Sequence, residues 1–257
     1  MGTVTSKDGT TIGFSRSGGG PAVVLVDAAC CFRGGGPMPA VAEALTGFTA
    51  YTYDRRGRGE STDTAPYAIE REVEDLAAVV EAAGGSAFVH GFSSGAVLAL
   101  HAAAAGVPIR ALTLLEPPLS FEEPTGPDPR DEIEALVAAG RRGDAVIRFQ
   151  VACGVPEEFT AGMRQSPGWP ALEAMAHTTA YDLTITRTVP DLASVTAPAL
   201  VLDSEGSDGR LRGWADGVAE RLPNAGRRTL AGGWHGVAPD VLAPVLAEHF
   251  GRSAHAG

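Results

Sequence analysis

The chain has 257 residues, of which 44% are hydrophobic; that suits one large α/β domain, or one domain carrying a sizeable insertion. A net charge of -11 with no basic stretch opposes nucleic acid and anionic membrane surfaces as partners. Cys30, Cys31 and Cys153 make no disulfide framework, and no apolar run is long enough to cross a bilayer, so a reducing cytoplasm is the expected location.

The first segment, "MGTVTSKDGTTIGF", lacks a basic region followed by an apolar one, so no secretory signal is expected. It reads instead as a hairpin over residues 1–16, turned at Asp8-Gly9. "PAVVLVD" at 21–27 is a continuous apolar run, as in a strand buried on both faces. A glycine-rich loop and a short helix around "PAVAEALTG" follow, then a strand in "FTAYTYD". Ile69, Val73, Leu76 and Val80 step by four, three and four along one helix face, and Gly84-Gly85 ends that helix. "SAFVHGF" is the next strand, "SGAVLALHAAAAG" the next helix, and "RALTLLEPP" a strand stopped by two prolines. Residues 117–195 then read as short helices split by Pro and Gly: "PRDEIEALVAAG", "GDAVIRFQVACG", "PEEFTAGMRQ" and "PALEAMAHTTAYD". Strand and helix alternate again through "PALVLD", "WADGVAERLP", "RRTL" and "APDVLAPVLAEHF". This order implies an α/β fold, a mostly parallel sheet flanked by helices. Its core spans residues 1–116 and 196–257, with an all-helical cap at 117–195.

In such sheets the ligand site lies beyond the carboxyl ends of the strands. There stands Gly91-Phe92-Ser93-Ser94-Gly95, with a strand before it and a helix after it. A serine on so sharp a turn needs small residues two places away on each side, because a side chain there collides with a neighbouring strand or helix. Lys7, the sole lysine, sits in the first turn, leaving none inside the fold for Schiff-base or phosphate chemistry. Neither Gly-Lys-Ser/Thr nor His-Glu-x-x-His occurs, so a phosphate loop, a zinc site and any other cofactor are not expected.

Three motifs stand in a telling order along the chain: "YDRRGRGES" after the fourth strand, then "HGFSSG", then "GGWHGV" shortly before the last helix. Together they resemble the α/β-hydrolases over nearly the whole chain, the cap excepted. The resemblance implies Ser93 as nucleophile and His235 as general base. His90 and His101 point into packing, His177 lies in the cap, and His249 and His255 lie in or beyond the final helix. The acid stays open. Its usual place after the seventh strand falls on Ser207, with Asp203 and Asp208 nearby; some members of the superfamily carry it after the sixth strand, where Glu116 stands. Glu116 is favoured, because a carboxylate after two buried leucines requires a partner.

The resemblance also implies an oxyanion hole from the N–H groups of Ser94 and, by position, Ala29. Where the family often has His-Gly, this chain has Asp27-Ala28. Cys30, Trp169, His177 and Tyr181 are candidates to line the substrate pocket, and Arg55, Arg56 and Arg58 to brace the fourth-strand loop. The expected activity is hydrolysis of an ester, thioester or lactone of a small hydrophobic molecule. A carbon–carbon hydrolase, lyase or cyclase remains an alternative, as does a ligand-binding protein with little catalysis. The expected partner is a small-molecule substrate; a homodimer is one option for the oligomeric state.

Overall fold

The computed structural model describes residues 1–122, 126–160 and 162–254, so His255 and Ala161 lie outside the described residues. The first two strands, β1 (Gly2–Thr5) and β2 (Thr11–Gly18), form an antiparallel hairpin whose turn is tied by the Thr10 N–H donating to Asp8 Oδ1 at 3.0 Å. Six further strands follow: β3 (Ala22–Val26), β4 (Thr49–Tyr53), β5 (Ala87–Phe92), β6 (Ile109–Leu115), β7 (Ala199–Ser204) and β8 (Ala225–Leu230). The sheet order is β1-β2-β4-β3-β5-β6-β7-β8, parallel from β4 to β8.

The period of two along a strand divides the core between the faces of the sheet. On β3, Val24 and Val26 join one cluster with Leu76, Val80 and Leu98 from helices α2 (Ile69–Ala82) and α3 (Ser94–Ala104). Val23 and Leu25 join the other, with Val41 of α1 (Met38–Ala44) and Leu246 and Phe250 of the terminal helix. A strand covered on both faces has no use for polar residues, which is why "AVVLV" does not alternate. Each fully buried Val or Leu stabilises the fold by roughly 1.5–3 kcal/mol.

Between β6 and β7 the chain leaves the sheet for helices α4 (Pro129–Ala138), α5 (Arg142–Ala152), α6 (Glu157–Thr160), α7 (Trp169–Ala174) and α8 (Thr178–Arg187). Ile133, Val146, Phe149, Trp169 and Leu183 give this insertion an apolar core of its own. The run expected as one helix, "PALEAMAHTTAYD", is split into α7 and α8. At the break the Thr178 and Thr179 hydroxyls donate to the carbonyls of Met175 and Ala176, a side-chain alternative to the helical ladder. After β7, α9 (Gly209–Arg221) begins five residues ahead of the expected "WADGVAERLP", because the Asp208 carboxylate caps it by accepting the Leu211 N–H at 3.0 Å. The chain closes with α10 (Pro239–Ala254).

Candidate active site

The turn from β5 into α3 places Ser93 at φ 53°, ψ −124°, a conformation that L-residues rarely adopt. Its N–H donates to the Leu115 carbonyl of the neighbouring strand at 2.9 Å. A Cβ at Gly91 would come within 2.5 Å of Ala96 Cα, and one at Gly95 within 2.5 Å of the Val26 and Asp27 carbonyl oxygens. Both obstacles are backbone and cannot step aside. The glycines therefore let α3 and the end of β3 close around the serine.

Ser93 Oγ lies 2.9 Å from His235 Nε2, and His235 Nδ1 lies 2.7 Å from Glu116 Oε2. The other Glu116 oxygen accepts the Ser204 N–H at 2.9 Å, and the side chain is fully buried. A carboxylate can only accept, so Nδ1 carries the ring proton and Nε2 is left to accept from the serine hydroxyl. The loop bearing His235 is held by its own N–H donating to Ser207 Oγ at 3.0 Å. Ser207, at the position after β7 where the family usually carries its acid, thus orients the backbone of the histidine. Asp203 is engaged with Arg227 and Arg212, and Asp208 caps α9. Among the described residues, the non-glycine residues with positive φ are Cys30, Ser93, Glu116 and His235, and three of these four are the residues of this relay.

Ser94 opens α3, and the N–H of a first helical residue has no partner within its helix. Ala29 follows β3 and, with Ser93, Ser94 and His235, lines a cavity of about 1060 Å³. Phe92, Phe149, Leu183, Leu211, Trp214 and Trp234 supply apolar wall, while Arg210 and Arg221 stand along the cavity side of α9. Cys31 and Cys153 also line it, their thiols pushed up by burial, Cys153 to about 12.

Four residues expected in the pocket stand elsewhere. Cys30 turns toward Gln150, whose Nε2 lies 3.7 Å from its sulfur. Trp169 is buried in the insertion's core beneath the Arg164 guanidinium, because so large an apolar ring completes that small core. His177 Nε2 faces Asp63 at 3.3 Å and its Nδ1 faces Arg142 at 3.0 Å. Tyr181 stacks on Tyr67 at 3.8 Å and donates to Asp63 at 2.8 Å. His177 and Tyr181 therefore fasten the insertion to the loop after β4 and do not reach the cavity lining.

Arg55, Arg56 and Arg58 are among the most buried side chains, and each is neutralised. Arg55 grips Glu72 through Nε at 2.7 Å, and Arg56 grips Asp75 likewise. Asp182 of α8, which no sequence pattern singled out, accepts from Arg55 Nη1 at 2.8 Å, Arg58 Nη2 at 2.7 Å and Ser94 Oγ at 2.8 Å. Burial works against its charge, but Arg58, Arg55 and Ser94 outweigh burial and hold its carboxyl below the usual range. The signal in the sequence is indirect: three arginines within four residues near a strand end demand carboxylates from somewhere.

Among the described residues, no group of three or more His, Cys, Asp or Glu is arranged to hold a metal ion, and no helix is long and apolar enough to cross a membrane.

A mostly parallel eight-stranded sheet flanked by helices is the architecture of the α/β-hydrolases. The profile of the alpha/beta hydrolase family matches residues 17–246. An alpha/beta hydrolase from Sphaerobacter thermophilus DSM 20745 is similar, with 49% identity over 97% of this chain and 100% of that chain and a TM-score of 0.90. An esterase from Exiguobacterium antarcticum has 19% identity over 100% and 98% of the two chains, with a TM-score of 0.72. The N-formylmaleamic acid deformylase of Pseudomonas putida S16 has 19% identity over 99% and 98%, with a TM-score of 0.66. The latter two show likeness of fold alone. No curated protein matches the chain. The chain belongs to the alpha/beta hydrolase family.

Proposed function

We propose that the protein is a serine hydrolase that cleaves an ester, thioester or lactone of a small, largely apolar substrate without a cofactor. The observation that carries this reading is the unbroken relay from Ser93 Oγ through His235 to Glu116, at 2.9 and 2.7 Å. A serine hydroxyl is a poor nucleophile until a base takes its proton. His235 Nε2 accepts that proton as Oγ attacks the carbonyl carbon, and Glu116 stabilises the imidazolium. The N–H groups of Ser94 and Ala29 receive the carbonyl oxygen as it gains charge. His235 then protonates the leaving group; a water molecule, deprotonated by the same nitrogen, releases the acid and restores Ser93.

The cavity favours an apolar substrate body, with the helical insertion of residues 117–195 serving as its cap. A ligand-binding protein with little catalysis is the alternative that the absence of an acid at position 207, after β7, would favour. A carboxylate delivered from β6 weighs against it, because a buried Glu beside an imidazole costs stability and suits catalysis.

Ser93→Ala is expected to abolish hydrolysis of p-nitrophenyl acetate and butyrate while circular dichroism remains unchanged. Labelling with a fluorophosphonate, followed by mass mapping, should mark Ser93. Undiminished ester turnover by the alanine variant would overturn the assignment.

A further inference from the structure

Asp182 belongs to the helical insertion, yet its carboxylate ends inside the sheet domain, beside the residues proposed to bind the oxyanion. Its two oxygens organise two guanidinium groups. Arg58, with Nη2 on Asp182, directs Nη1 to the Ala28 carbonyl at 2.7 Å. Arg55, with Nη1 on Asp182 at 2.8 Å, shares that nitrogen with Ser94 Oγ at 3.0 Å and, more distantly, with the Asp27 carbonyl at 3.5 Å. Ser94 Oγ in turn donates to Asp182.

The geometry of one peptide group gives this cluster its significance. The Ala28 carbonyl and the Ala29 N–H belong to the same planar trans peptide and point in opposite directions. Fixing the oxygen against Arg58 therefore aims the N–H on the other side. Ser94 is held from its side chain, which limits how its own N–H can turn. Arg55 has a second anchor in Glu72. Asp182 is the only carboxylate partner of Arg58 among the described residues, and Arg58 Nε meets no acceptor there. The placement of Arg58, and through it of the 28–29 peptide, thus depends on a residue of the insertion.

We infer that Asp182 is a positioning residue, which holds Arg58 and Ser94 so that the Ala29 and Ser94 N–H groups converge on the oxyanion. This inference rests on the hydrolase reading and adds to it: the insertion completes the catalytic apparatus besides covering the cavity. Misaligned donors weaken binding of the transition state while leaving ground-state binding of an apolar ester nearly intact.

The test compares Asp182→Asn with Asp75→Asn. Asp75 is equally buried and faces Arg56 of the same loop, and its hydrogen bonds reach neither Ser94 nor the 28–29 peptide. Turnover of p-nitrophenyl butyrate is measured per active site, with sites counted from the final extent of fluorophosphonate labelling. Asp182→Asn should lower kcat about a hundredfold, with KM changed less than about threefold, while Asp75→Asn keeps kcat per site within about threefold. Equal losses in the two variants, or an unchanged kcat per site in Asp182→Asn, would overturn the inference. Should Asp182→Asn fail to fold, Ser94→Ala decides, since it keeps the N–H and removes only the hydroxyl bonded to Asp182. A fall of about tenfold in kcat at constant KM supports the inference, and an unchanged kcat refutes it. If the unaltered protein hydrolyses no ester, the hydrolase reading fails and this inference with it; if it does so and Asp182→Asn is silent, only this inference fails.

Discussion

Glu116 sits one residue beyond β6, with φ 48° and no exposed surface. A carboxylate there is costly to bury, and two hydrogen bonds, from Ser204 N–H and His235 Nδ1–H, offset the cost. Asp203 and Asp208, nearer in sequence to the usual place of the acid, have other occupations: an ion pair with Arg227 and the cap of α9. Glu116→Gln is therefore expected to lower kcat roughly 10²–10⁴-fold, with Asp203→Asn and Asp208→Asn far milder. Steady-state kinetics on p-nitrophenyl butyrate rank the three, and a reversed order would move the acid to β7. Ser93 and His235 were legible from their motifs, since each lies in a short stretch whose spacing is local. The choice among three acids was not, because each stood near a strand end and only the folded chain shows which one His235 meets.

Helix α9 shows how an element can be read and still misplaced at its boundary. Gly209 and Gly213 weaken the helical signal at its start. The Asp208 cap and the burial of Leu211 supply what intrinsic preference lacks. Asp208→Ala should lower stability by about 1 kcal/mol, read as a lower melting temperature with ester turnover preserved within about threefold. In the insertion the helical character is legible in the sequence, but not the break between α7 and α8, nor which side each helix turns inward. Short helices show few turns, so which aromatic faces the cavity and which fills the helical core cannot be told from spacing. Trp169 is enclosed in the core and Tyr181 stacks on Tyr67, whereas Phe149 and Leu183 belong to the same core and also line the cavity.

At the scale of the whole molecule, the site is a junction of parts distant in sequence. Residues following β3, β5, β6 and β8 meet at one rim of the sheet, and α8 enters from the insertion. Asp27, at the end of β3, adds a pH dependence. Burial pushes its carboxyl up to about 6, against the Ala28 N–H and the Arg58 charge, which favour ionisation. A carboxyl raised in the folded state stabilises the fold fully below its unfolded value and loses that contribution as pH climbs through about 6. From pH 4 to pH 7 the unfolding free energy of the wild type should fall relative to that of Asp27→Asn, by an amount on the order of 3 kcal/mol. Denaturation at a series of pH values measures it, and parallel curves for the two proteins would refute it.

Local pattern alone determined the strands, the order of the parallel sheet's elements, the helical insertion and the elbow at Ser93, because these depend on residues a few positions apart. Tertiary structure decided which carboxylate faces His235, which side chains line the cavity and that Asp182 reaches Ser94. Those contacts join residues separated by tens of positions or more, and a buried charge finds its partner only when the chain has closed around it.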